Sequence, residues 1–457
     1  MLRLFYLSLL LLNPLAAAEF TANVMAPLWV TDNASFRQQL AIAKAIGVDA
    51  VSVDVWWGKV EANGDQQFDW QYYDNLFTDI RQAGLDIVPI MALHQCGGNV
   101  GDDCDIPLPH WLWQHFHAHG VSTADLQYKS EYGYQSVETL SLWADTWVVP
   151  QYIEFMQAFA ERYAAIASDI QEVNVSMGPA GELRYPSYNS HDQGKTSYPG
   201  RGGFQAYSAL AVADFQHAMQ QKYQHLAALN IAWQQQLNSF SEVMPPSDAA
   251  QFVSSGAMYQ SQYGRDFTRW YHQALLNHGK RMLGAAEQGL KALPENIPLG
   301  YKIPGIHWKM AAPDFSRRSA EIAAGLIDSA SGFDADNGFG YAGIVALAQH
   351  NTPGQRAIVL HFTALEMADN AQSDSYSLAK TLVHWVGAEA VKQGVTVKGE
   401  NALAAGVLHE TGWANIRDAL ASGGYQGLTI LRIEQVTADA LGQEQYRQLI
   451  KHHKIKR

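Results

Sequence analysis

Eight short apolar runs recur along the chain with helical patterns between them, and this alternation constrains the fold more than any other feature. The runs cover residues 23–30, 50–56, 86–93, 171–177, 298–303, 357–362, 395–398 and 427–433. They are mostly β-branched and carry few turn residues, as parallel strands covered on both faces do. Between them the apolar period is helical. In residues 70–82, Trp70, Tyr73, Phe77 and Ile80 share one face, Asp69 is placed to cap the start and Gly84 to end the helix. Eight strand–helix alternations predict an α/β fold, a (β/α)₈ TIM barrel with long loops at its C-terminal face; an open doubly wound sheet is the alternative. The 457 residues, 47% hydrophobic, are ample for one large core. Polar, glycine-rich stretches at 186–203 and 331–343 follow strand runs, where a barrel builds its active site. Neither an internal repeat nor a low-complexity linker divides the chain.

The N-terminus reads differently from the rest. Arg3 precedes an apolar run over 4–12, and Ala16, Ala17 and Ala18 offer a small-residue cleavage site. This is the pattern of a signal peptide over residues 1–18, with the barrel occupying 19–457 and a secreted or periplasmic product; a retained anchor is the alternative. No later run is long enough to span a bilayer, so no membrane association is expected after cleavage. The only cysteines, Cys96 and Cys104, lie in one Gly/Asp-rich loop. In an oxidising compartment they form a disulfide that braces the loop, or else remain two free thiols; their spacing is not that of a zinc site. The net charge of −13 argues against nucleic acid or an anionic membrane as partner. The basic tail at 451–457 reads as a solvated end. Thirteen Trp, 21 Tyr and 17 Phe exceed what identifies a binding surface, since most aromatics in a large domain are core, but their faces also suit sugar rings.

The segments with chemistry sit where the strands end. They are Asp54-Val55-Trp56-Trp57-Gly58, then His94-Gln95-Cys96-Gly97-Gly98-Asn99-Val100-Gly101-Asp102, then Gly178 to Tyr188 (GPAGELRYPSY). Lys302 with Gly305-Ile306-His307-Trp308 follows, then Phe362 to Met367 (FTALEM), and Gly399-Glu400-Asn401-Ala402-Leu403. Taken singly, a Glu after Gly is an ordinary loop residue and a lone Asp a satisfied carboxylate. Together at one barrel mouth they supply donors and acceptors for hydroxyl groups, aromatic faces, and two carboxyls, Glu182 and Glu400, for acid and base work. The apolar surroundings of Glu182 favour its protonated form, and Arg184 opposes that shift. The histidines at 110, 115, 117 and 119 are a decoy: their spacing is loose, tryptophans interleave, and they read as a surface helix or loop.

These motifs, in this order over essentially the whole mature chain, resemble those of β-amylases, the inverting α-1,4-glucan maltohydrolases, and above all the bacterial members, through residues 61–69 and the pair Cys96/Cys104. The resemblance implies exo-hydrolysis of α-1,4-glucosidic bonds in starch and related glucans, releasing β-maltose from non-reducing ends. It implies Glu182 as general acid and Glu400 as general base. Asp54, His94 and Asp102 would hold the terminal glucose, Asp102 on a closing flap; Lys302 and His307 would bind further along the maltosyl unit. Thr363 would belong to a mobile inner loop, Asn401 and Ala402 would flank the base, and Arg432 would reach the site. A structural Ca²⁺ site maps onto Glu61, Asp65, Gln66 and Glu154, with Gln151 where a second helix carboxylate is expected; an ordinary acidic loop is the alternative. No organic cofactor, no separate starch-binding domain and a monomer are expected. Departures fall at His361, Ala364 and Lys309-Met310, and none removes a catalytic group.

Overall fold

A computed structural model describes residues 20–97, 104–188, 192, 194–349 and 355–455. Eight parallel strands close into a barrel: β1 (Thr21–Met25), β2 (Ala50–Trp56), β3 (Asp86–Ala92), β4 (Val173–Val175), β5 (Leu299–Ile303), β6 (Ile358–Phe362), β7 (Thr396–Glu400) and β8 (Gly427–Ile430). Each strand pairs with its sequence neighbours and β8 closes on β1, with Asn23 opposite Thr429 and opposite Ala50. The open-sheet alternative is therefore excluded. Helices α1 (Asn33–Ile46), α2 (Gln71–Gln82), α3 (Asp145–Tyr163), α4 (Gln262–Gly289), α5 (Ala379–Gln393), α6 (Glu410–Ser422) and α7 (Ala440–Ile455) follow seven of the strands; after β5 the chain makes only short helical turns.

Local chemistry sets the helix ends. Asp32 accepts the N–H groups of Ala34 and Ser35 at the start of α1, and Gly47 ends it at φ 97°. At α2, Asp69 accepts the N–H of Gln71, Gly84 turns left-handed at φ 74°, and Tyr73, Phe77 and Ile80 are buried as their spacing requires. The histidine-rich segment is a short helix, Trp111–Ala118.

The strand runs were longer in sequence than in hydrogen bonding. Residues 26–30 and 431–433 leave the barrel beyond β1 and β8, and only three residues of the 171–177 run form β4. More consequential is what lies within. The apolar runs contain Glu172, His361 and Lys398, which meet across the barrel: Glu172 Oε1 is 2.5 Å from His361 Nε2 and Oε2 is 2.7 Å from Lys398 Nζ. All three are buried. Gly300 on β5 makes the crossing possible, because a Cβ there would overlap Asn174 Oδ1 and Glu172 Oε1. Burial pushes the Glu172 carboxyl up strongly, and Lys398 with the His361 ring bonded to it holds it down at about 2.

Cys96 and Cys104 are joined in a disulfide, which closes the described ends of the loop after β3. Among the described residues no helix is long and apolar enough to cross a membrane. Residues 1–18, read as a signal peptide, lie outside the described residues.

Candidate active site

Glu182 owes its position to backbone that only small residues can follow. After β4 the chain makes a tight 3₁₀ turn, Pro179–Gly181, with Ala180 at φ 54° and Gly181 at φ 77°. A Cβ on Gly178 would lie 2.5 Å from the Glu182 carbonyl oxygen and 2.7 Å from that of Arg184. The turn delivers Glu182 beside β5, where it bridges to Lys302 and the N–H of Leu183 donates to the Lys302 carbonyl, 2.8 Å. The Glu182 side chain is largely buried, and Arg184 Nε donates to its Oε2 at 2.8 Å. Arg184 is 1% exposed, donates also to the Tyr185 carbonyl, and lies 4.2 Å over the Tyr188 ring. Burial raises the Glu182 carboxyl above the ordinary glutamate range; Arg184 and Lys302 oppose the rise and the charge of Glu400 adds to it. The tug between burial and Arg184 expected from sequence is resolved in favour of burial.

Glu400 ends β7. Lys302 Nζ lies 2.8 Å from both of its carboxylate oxygens, so one ammonium joins the β5 and β7 ends of the site. The turn after Glu400 is fastened on two sides. Asn401, fully buried, accepts the Leu431 N–H through Oδ1 at 2.8 Å and donates through Nδ2 to Leu403 O and Gln435 Oε1. Its side chain is thereby committed to bracing β7 against β8 rather than to orienting a water. Ala402 presents its N–H to Glu366.

His94 stands against the Glu182 turn: a Cβ on Gly181 would meet its Cε1 at 3.3 Å. Its Nδ1 is 2.8 Å from Ser176 Oγ, and the Trp56 ring lies edge-on at 5.2 Å. Burial, with Lys302 and Arg184 nearby, drives its pKa down to about 3, so the ring is neutral. His307 behaves alike: Nδ1 is 2.7 Å from Ser377 Oγ, and burial lowers it to about 4. Two neutral imidazoles suit hydroxyl recognition, since each can both donate and accept. Asp54 lies half-buried on β2, where its carbonyl accepts the Tyr73 hydroxyl. Thr363 accepts the Gly305 N–H through Oγ1 at 2.8 Å, and Arg432, half-buried beyond β8, donates to Leu431 O. Asp102 and its flap lie outside the described residues. Glu182, His94, Lys302 and Glu400 are thus brought together. Arg184, Ser176, Ser377 and Glu366 were not among the site residues read from sequence; a serine two residues before Gly178 carries no signal by itself, whereas the buried acid in FTALEM could have been flagged beside Glu400.

This constellation has a match along nearly the entire chain. The family model "Glycosyl hydrolase family 14" matches residues 23–456. The chain belongs to glycosyl hydrolase family 14. A "Beta-amylase" of Niallia circulans is 41% identical over 422 residues, covering 92% of this chain and 68% of that protein. A "Beta-amylase" of Cytobacillus firmus is 40% identical over 422 residues, covering 92% of this chain and 83% of that one. Among solved structures, the catalytic domain of beta-amylase from Paenibacillus polymyxa superimposes with a TM-score of 0.84 at 38% identity, covering 96% of this chain and 99% of that chain.

A second polar cluster lies beside β2 in this family 14 barrel. Glu61 is buried, accepts Trp57 Nε1 and the Gln66 N–H at 2.6 Å each, and is pushed up to about 7 by burial, with Glu154 and Asp65 adding repulsion. Asp65 also raises Glu154, whose own burial is the larger cause. Asp65 Oδ1 and Gln151 Oε1 are buried acceptors without a donor among the described residues. Gln66 turns left-handed at φ 61°. Three mutually repelling carboxyls, one of them with an unpartnered buried oxygen, are the kind of oxygen donors a hard cation takes. Among the described residues no three His, Cys, Asp or Glu side chains suffice by themselves, so an ion here would depend on the glutamines.

Proposed function

We propose that this chain hydrolyses α-1,4-glucosidic bonds from the non-reducing ends of starch and related glucans, releasing β-maltose with inversion. Glu182 donates its proton to the glycosidic oxygen as the bond to C1 breaks. Glu400 takes a proton from a water that attacks C1 on the opposite face. One displacement with water as nucleophile leaves the anomeric centre inverted. Asp54, His94 and Asp102 hold the terminal glucose, Lys302 and His307 the next part of the maltosyl unit, with Thr363, Ala402 and Arg432 at the edges. The observation that carries this reading is the meeting of two carboxyls at one barrel mouth: Glu182, paired with Arg184 and delivered beside Lys302 after β4, and Glu400 at the end of β7, paired with the same Lys302. The names of the family 14 relatives support it. Proton NMR of fresh maltopentaose digests should show maltose appearing first as its β-anomer. Initial α-anomer, or glucose as the main early product, would overturn the assignment.

Calcium belongs to the same proposal, held by Glu61, Asp65, Gln66 and Glu154 with the Gln151 oxygen. It would quench the mutual repulsion of the carboxyls and take no part in the displacement. An ion present at about 100 times its Kd adds about 2.7 kcal/mol to stability. Excess EDTA should therefore lower the melting temperature while kcat at low temperature stays within about twofold. A melting temperature unmoved by chelator would remove calcium from this loop. A secreted or periplasmic location belongs to the same proposal and rests on the signal-peptide pattern of residues 1–18.

A further inference from the structure

Glu366 is a buried acid bonded to the turn that follows the base, and the reaction as proposed does not use it. It sits in FTALEM, 4% exposed. Both of its carboxylate oxygens accept the Ala402 N–H, at 3.1 and 3.0 Å, and Oε1 also accepts the Leu403 N–H at 2.9 Å. Its neighbour Leu365 donates its N–H to the carbonyl of Glu400 itself, 3.2 Å. Asn415 of α6 donates to the Glu366 carbonyl at 3.0 Å. The space is shaped for this side chain: a Cβ on Gly406 would overlap Glu366 Cγ, and one on Gly412 would press on its Cβ at 3.4 Å.

The chemistry of the contact selects a carboxyl. Oε1 meets both N–H groups and Oε2 adds a second acceptor to that of Ala402, so only a carboxyl makes all three contacts. An amide would set its NH₂ against the Ala402 N–H. The acid is also costly to keep here: burial pushes it up to about 7, although the N–H groups of Leu403 and Ala402 oppose this and the charge of Glu400 adds to it. A loop that needed only filling would be served by an apolar residue at less cost.

We infer that Glu366 is a positioning residue for the base: by clamping the N–H groups of the 402–403 turn, together with the Leu365 bond to the Glu400 carbonyl, it fixes the end of β7 from which Glu400 must reach its water. This rests on the proposed role of Glu400. A base misplaced by a fraction of an ångström loses alignment with water and C1, whereas of the residues that hold the sugar only Ala402, at the edge, sits on the clamped turn, and Asp54, His94, Lys302 and His307 do not. The loss therefore falls on kcat and spares KM.

The test compares wild type, Glu366→Gln, Glu366→Ala and Glu400→Gln on maltopentaose, with thermal melts of each. For both Glu366 variants kcat should fall by about 10- to 100-fold while KM stays within about threefold, with Glu366→Gln melting close to wild type. Should Glu366→Ala fail to fold, the near-isosteric Glu366→Gln carries the test. Folded variants with wild-type kcat, or a loss confined to KM, would overturn the inference while Glu400→Gln is inactive. An active Glu400→Gln would instead overturn the assignment of the base, and this inference with it.

Discussion

Glu182→Gln should lower kcat on maltopentaose by about 10²- to 10⁴-fold, the range over which a positioned general acid accelerates proton transfer. The amide keeps the volume and can still accept from Arg184, so the turn from Gly178 to Arg184 and the KM should be nearly preserved. The leaving oxygen then departs without a proton, and the missing stabilisation appears in the transition state alone. The pH profile gives a second, independent reading. Burial raises the Glu182 carboxyl, so its acid form persists above the ordinary glutamate range. Activity that needs this proton is present below the raised pKa and is lost as pH rises through it, which makes Glu182 the source of the alkaline limb. In Glu182→Gln that limb should vanish from whatever activity remains. Wild-type kcat in the folded variant, or an alkaline limb unchanged by the substitution, would remove Glu182 from the reaction.

The barrel was legible because strand and helix periods alternate along the chain, but that alternation left an open sheet as the alternative, which the pairing of β1 with β8 excludes. The positions of Glu182 and Glu400 at strand ends were legible too, through their motifs. What escaped was contact between residues far apart in sequence. Nothing local to Ser176 or Ser377 marks them as partners of His94 and His307. Asn401 reads only as a flank of the base, yet its side chain is occupied by Leu403 and by Leu431 and Gln435, the last two on segments that a reading of its own motif cannot place. Glu366 escaped for the same reason: its role lies in the N–H groups of residues 402 and 403, and backbone donors leave no trace in a sequence. The disulfide was legible only as one of two options, since oxidation depends on geometry that the spacing alone permits but does not require.

Lys398→Met should destabilise the fold by about 3–5 kcal/mol in urea unfolding, because it strands Glu172 as a buried carboxylate with half its compensation removed. The strand run around Lys398 reads as an ordinary buried strand, and a methionine there would fit its apolar pattern. The structure reverses that expectation. Lys302, His361 and Lys398 are successive register partners across β5, β6 and β7, and Glu172 reaches the latter two past Gly300. With Glu172 ionised, His361 Nε2 must carry the proton of their shared bond, so the histidine's orientation depends on the same carboxylate. The pH dependence has a definite sign. Glu172 is held down at about 2 in the folded protein, against about 4.3 in an unfolded chain, so its contribution is complete above the unfolded value and disappears as pH falls from about 4 to about 2. Lys398→Met should flatten that acid dependence as well as lower the plateau. Adding Glu172→Gln to Lys398→Met removes the stranded charge and should restore much of the loss, a coupling that a double-mutant cycle measures directly. If the double variant were as unstable as the two single losses added together, the triad would be packing rather than paired charge. Full restoration would mean that the ions add little net stability, and their place beneath Lys302 and Glu400 would then be explained by the site they support rather than by the fold.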